Sequence, residues 1–223
     1  MKTILTFICL VLALTFSSAS GALVEESHLD SIDVYLVPLN DFPEQLSSDI
    51  ATTLSKGLGI RVKSSLRLGE LGLSPIAGIN QYAAEDILAI SQNVIKSLPE
   101  TSAKTYFVIL TTKDINNRSG NFRYQFSFHD TSLNTSVISL ARMIEVSDDK
   151  TVNEALTLSR FIKMLLRAIG EMHFGWKRSI DPTDIMYSPI MGLPDLDKLQ
   201  FNHKPEPGKK SSDQQSNAKE SAL

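Results

Sequence analysis

The sequence has 223 residues, 42% hydrophobic and 21% charged, with 22 Lys and Arg against 25 Asp and Glu for a formal net charge of −3. That length suits one domain with a sizeable core, and the missing basic excess argues against nucleic acid or an anionic membrane as partner. The single cysteine, Cys9, leaves the rest of the chain without a disulfide framework, a thiolate zinc site or a cysteine nucleophile.

Met1–Ala22 reads as a secretory signal peptide. Lys2 gives a positive start, Ile4–Phe16 an apolar core, and the Ser/Ala/Gly run a small-residue cleavage zone too short to span a membrane. A secreted or periplasmic protein is expected, with no membrane attachment once this segment is removed. Residues 23–202 read as one folded domain. The stretch 203–223, poor in large apolar side chains, reads as a disordered polar tail.

Within the domain, "SIDVYLVPL" is a buried strand by its β-branched run. A helix follows from Pro43, with Leu46, Ile50 and Leu54 at helical spacing and Gly57 as its stop. "IRVKSSLRL" alternates as a second strand. "QYAAEDILAISQNVIKSL" is a helix ended by Pro99, and "TYFVILTTKDI" is the strongest strand. After the turn-rich "NNRSGN" come "FRYQFSF", with Phe122, Tyr124, Phe126 and Phe128 on one face, and the short extended "TSVISLARM". A long helix over residues 153–174 and a short one in "LPDLDKLQF" close the domain. Strands and helices alternating first, with a hairpin later, predict an α/β (α+β) class: a mixed sheet, mostly parallel, with an antiparallel edge strand.

That element order, together with "VYLVPLNDFP", "QYAAEDIL", "YFVILTTKDI", "SVISLARM" and the stretch "RAIGEMHFGWKRSIDPTDIMYSPI", resembles the metzincin clan of zinc metallopeptidases, most of all the archaemetzincins. The resemblance implies a sheet packed on an active-site helix and a zinc site with the pattern H-E-x-x-H-x-x-G-x-x-H, followed by a Met-turn. Two histidines one helical turn apart and a third beyond a glycine would hold the metal, and the glutamate would polarise its water. Here the register that keeps most landmarks puts Gly175 at the glycine and Met186 at the Met-turn. The ligand positions then hold Ala168, Met172 and Arg178, and the glutamate position Ile169. A methyl, a lone thioether and a fixed cation do not make a zinc site. Sliding by one residue substitutes Arg167, Glu171 and Lys177, which is no better.

Helical spacing gives the same answer. Phe161, Leu165, Ala168 and Met172 form one apolar stripe, with Arg160, Lys163, Arg167 and Glu171 on a separate charged side. Glu171, four residues after Arg167, is expected in a surface ion pair. Arg178 could instead fill the emptied site and pair with Asp181 or Glu171. His129, His173, Glu171 and Tyr187 are candidates for a residual cleft, although each histidine has an ordinary reading as a polar turn or helix-flank residue. "NRS" at Asn117 and "NTS" at Asn134 match the glycosylation acceptor pattern.

The expectation is thus a secreted metallopeptidase homologue that has lost hydrolysis, takes no cofactor, and binds an extended peptide or protein along a Thr135–Met143 edge strand. Two alternatives stand beside it. One is an active zinc peptidase with a non-standard ligand set, His129 and His173 with carboxylates; the other is an unrelated secreted α/β binding domain.

Overall fold

The computed structural model describes residues 31–119, 122–145 and 152–203. The signal-peptide segment, His28 and the tail beyond His203 lie outside them.

The centre of the molecule is a five-stranded sheet in the order β2-β1-β4-β7-β6. β1 (Val34–Pro38) runs parallel to both β2 (Val62–Ser64) and β4 (Tyr106–Thr111), and β4 runs parallel to β7 (Thr135–Ser139). β6 (Ser127–Asp130) pairs antiparallel with β7, His129 opposite Ser136. Every residue of β1, β4 and β7 is buried, as a parallel sheet covered on both faces requires.

Side-chain alternation then sorts the core. Val34, Leu36, Tyr106, Val108, Leu110 and Ile138 point to one face, where α1 (Glu44–Leu58) and α3 (Glu154–Met172) pack. Tyr35, Val37, Phe107, Ile109 and Val137 point to the other, covered by α2 (Ala84–Ile95). A small second sheet pairs β3 (Tyr82–Ala83) with β5 (Ile115–Asn116). α4 (Leu193–Lys198) closes the chain against α3.

The mixed, mostly parallel sheet with one antiparallel pair is as expected, but three details differ. α1 runs through Gly57 and stops at Gly59, whose φ of +67° lets its amide reach Ser55 O; the left-handed conformation, not the first glycine, sets the end. The four aromatics of "FRYQFSF" do not share a face. Regular pairing begins only at Ser127, so Phe126 enters the core beside α3, Phe128 packs on the α2 side, and Phe122 stays exposed. The third difference concerns the edge: β7 lies inside the sheet with β4 on one side and β6 on the other, so the edge strands are β6 at this end and β2 at the other. Among the described residues, no helix is long and apolar enough to cross a membrane.

Candidate functional site

α3 is the element on which the site is built. Asn153 caps it by accepting from Leu156 N at 3.0 Å, and every residue from Arg160 to Gly170 is buried. Three of these are cations, so the charged side expected at the surface is instead enclosed. Arg160 Nε and Nη2 fork onto Asp197 at 2.7 and 2.6 Å, with Glu145 and Met143 O as further acceptors. Lys163 Nζ donates to the carbonyls of Leu196 and Asp197, and burial lowers its pKa. Arg167 Nη1 donates to Ile185 O and Tyr187 O at 2.6 and 2.7 Å.

Those two carbonyls flank Met186, which is fully buried in the core that α3 shares. The turn around it is tight: Met186 N donates to Asp184 Oδ1, and Tyr187 N to Asp184 O. The turn therefore sits directly against α3, with Arg167 as its fastening.

Beyond α3 the chain reverses at Gly175, φ +66°. Trp176 folds back over Gly170, where an added Cβ would lie 2.2 Å from the indole ring. The chain then runs beside the Met186 turn, with Ser179 N donating to Met186 O and Ser188 N to Ser179 O. This course carries Arg178 to Glu171, and the two form an ion pair. Glu171 is thus paired with Arg178, not with Arg167.

Between β6 with the residues before it and the irregular segment Ser188–Met191 lies a cleft of about 560 Å³. Phe122, Met164, Ile190 and Met191 give it apolar walls; Ser127, His129, Arg167 and Arg178 give it a polar floor. His129 is held at both nitrogens. Tyr106 Oη donates to Ser136 Oγ, whose own proton then goes to His129 Nδ1 at 2.7 Å, leaving Nε2–H to donate to Ser127 Oγ at 3.2 Å. Burial pulls the imidazole down to about 4, Glu171 opposing and Arg178 and Arg167 assisting, so the ring is neutral at pH 7. Burial and the charge of Arg178 pull Arg167 down to about 10, which leaves it fully charged.

The sequence-derived positions divide accordingly. Arg178 and His129 line the cleft, with Glu171 beside Arg178. Ala168 and Ile169 are sealed in the core, and Met172 and His173 line a different pocket together with Asp33 and Asn134. Of the α3 residues, Met164 and Arg167 line the cleft, and Ala168, Ile169 and Met172 do not. His129 and His173 do not converge. Tyr187 contributes its carbonyl to Arg167. Asn134 uses its side-chain amide to donate to Thr105 O, 2.9 Å.

Sequence reading missed Arg123 and Ser127 as lining residues and misplaced Arg167. A signal for Arg167 was present. "RFIKMLLRAIG" is apolar on nearly every side, and such a helix is enclosed, so its cations must find acceptors inside.

No family model matches the sequence, and no curated protein matches it. Solved structures do. An archaemetzincin from Methanopyrus kandleri aligns at a TM-score of 0.58 and 22% identity over 81% of this chain and 92% of its own. The archaemetzincin from Archaeoglobus fulgidus aligns at 0.55 and 20%, over 77% and 94%. A zinc-dependent peptidase from Methanocorpusculum labreanum aligns at 0.61 and 18%, over 77% and 95%. The fold is archaemetzincin-like. An unrelated α/β domain is thereby set aside.

The expectation of no cofactor is corrected by the same finding, since an archaemetzincin-like fold whose solved neighbours include a zinc-dependent peptidase points to zinc. The cleft donors do not fit it. Two guanidinium groups repel a dication, Glu171 is tied to Arg178, and both nitrogens of His129 face hydroxyl groups. Among the described residues, no three His, Cys, Asp or Glu side chains are grouped to hold a metal.

Proposed function

We propose that this archaemetzincin-like protein is exported and binds an extended peptide segment in its cleft without hydrolysing it. The observation that carries the reading is Arg167. A buried cation, fixed by the two carbonyls beside Met186, sits on the cleft floor of a metallopeptidase fold. It supplies neither a metal ligand nor a general base.

Binding is supported by what remains around it. β6 has one sheet neighbour, and its Ser127 and His129 line the cleft, so an added strand could pair with its open side. The docking edge is therefore Ser127–Asp130 rather than the interior strand within Thr135–Met143. Phe122 and Met191, 62% and 77% exposed, stand at the mouth as apolar contacts for alternate side chains of a guest strand. Export rests on the Lys2 and Ile4–Phe16 pattern.

The test has two arms on the purified mature protein. Unstructured casein is incubated with it in the presence of zinc, and a randomised pool of extended hexapeptides is added while amide exchange across Ser127–Asp130 is followed. Intact casein and slowed exchange are expected. Specific cleavage that a chelator abolishes would sink the non-hydrolytic reading. It would favour the competing one, a zinc-dependent peptidase, for which the named neighbour speaks.

A further inference from the structure

Charge distinguishes this cleft from the rest of the chain. The molecule carries a net −3, yet the cleft lining includes Arg123, Arg167 and Arg178 and no carboxylate. Glu171, just behind, is already spent on Arg178. His129 adds no negative charge.

Arg167 is the built part of the site. Only 4% of it is exposed, and both of its hydrogen bonds leave from Nη1. Nε and Nη2 have no acceptor among the described residues, nor are they among the side-chain atoms sealed from solvent without one. Arg167 lines the cleft, and these two donors are what it has left to offer a ligand there. An edge of guanidinium presenting two parallel N–H groups matches the two oxygens of a carboxylate. Arg178, paired with Glu171 and half-exposed, is a second cation that can be recruited by exchanging one carboxylate for another.

We infer that the cleft recognises a carboxylate carried by the bound peptide, with the Nε/Nη2 edge of Arg167 as its fixed receptor and Arg178 as its movable one. This rests on the peptide-binding reading above for the carrier, but the anion site is testable without it. The carboxylate can be an Asp or Glu side chain or a peptide's own carboxyl terminus. Ser127, on β6, lines the same cleft beside the two arginines. A carboxylate there would also relieve the mutual repulsion of Arg167 and Arg178, which adds to burial in lowering the Arg167 pKa.

The first measurement is the arginine Nε–Hε resonances of the full chain titrated with N-acetylglycine and, separately, with N-acetylglutamic acid α-amide. The Arg167 signal should shift with one or both, and should be unmoved by N-acetylglutamine amide. The second compares one hexapeptide in three forms: internal Glu with an amidated end, internal Gln with an amidated end, and internal Gln with a free carboxyl end. At least one carboxylate form should bind about tenfold tighter than the uncharged form, and the better one identifies the source. Glu171→Gln should tighten binding by freeing Arg178, whereas Arg178→Gln should weaken it. A structural role alone would not move the two variants in opposite directions.

An Arg167 resonance indifferent to all three small probes, or equal affinity for carboxylate and amide peptides, overturns the inference. Shifts with the small acids but no protection of β6 by any peptide would keep the anion site and discard the peptide-binding reading.

Discussion

At the scale of single residues, the deciding feature is a buried arginine, Arg167, in the lining of the cleft. Arg167 joins α3 to the turn at Met186 through two carbonyl acceptors, that of Ile185 buried and that of Tyr187 part-buried. Arg167→Ala would leave Ile185 O and Tyr187 O without a donor and open space beneath the turn. A loss of about 3 kcal/mol is expected, read as a lower urea midpoint with an unchanged slope. Arg167→Lys should recover only part of it, since one ammonium cannot both serve the carbonyls and face the cleft.

His129 gives a pH dependence whose sign is fixed by its shift. Its folded pKa is depressed from 6.5 to about 4, so between those values the unfolded chain binds the extra proton. Stability from this group is complete above about 6.5 and is lost as pH falls towards 4. The full loss is on the order of 3 kcal/mol. Unfolding curves for wild type and His129→Gln, measured between pH 7 and 4, should converge as the pH falls. Parallel curves would mean that the imidazole does not stay neutral in the fold.

At the scale of elements, α3 depends on how it closes. Arg160 is 3% exposed at its side chain and is neutralised by Asp197 on α4 and Glu145 before α3. Removing one partner strands part of a buried charge, which costs far more than an exposed ion pair contributes. Asp197→Ala should therefore destabilise by about 2–4 kcal/mol, while Lys198→Ala, whose ammonium is mostly exposed, should be near neutral. Thermal melts of the two variants make the comparison. Gly170 sets a second limit. With an added Cβ only 2.2 Å from Trp176, Gly170→Ala must displace the indole, despite alanine's better helix propensity. Lower stability with a red-shifted emission of this one tryptophan is expected.

The same helix shows how far sequence reaches. Its ends, its amphipathic stripe and its place after the hairpin were legible, because capping and periodicity are local. Which side faced the cleft was not, because Lys163 and Arg160 are covered by α4 and Glu145, and that covering is tertiary. Likewise "TSVISLARM" and "FRYQFSF" both read as extended. The sequence could not show that the strand buried on both faces, β7, would sit inside and the half-buried β6 outside. Full burial of the first against half-burial of the second is visible only once the sheet is assembled.

At the scale of the molecule, the turn carrying Met186 is gripped from two directions. Arg167 holds it from α3. From the opposite side the last described residues run along it, with Ile185 N donating to Asn202 O and Gln200 N to Thr183 O. His203 belongs to this clamp rather than to a free tail. Its Nδ1 lies 3.0 Å from the buried carboxylate of Asp184, and its ring stacks on Trp176, which in turn packs over Gly170. Asp184 also accepts from Met186 N, so one carboxylate ties His203 to the turn. The clamp reaches the cleft through Arg167, whose acceptors are the carbonyls of that turn. His203→Ala would remove one partner of a buried carboxylate and the cover of Trp176, a loss of about 1–2 kcal/mol. It should also loosen the turn locally. Amide exchange at Ile185 and Tyr187 would speed up in the variant, while exchange within β1 and β4, which the clamp does not touch, would change only by the global loss of stability. Uniform acceleration across the molecule would mean that His203 merely contributes to overall stability. Selective acceleration at the turn would mean that the Gln200–His203 segment sets the rigidity of the floor beneath the cleft.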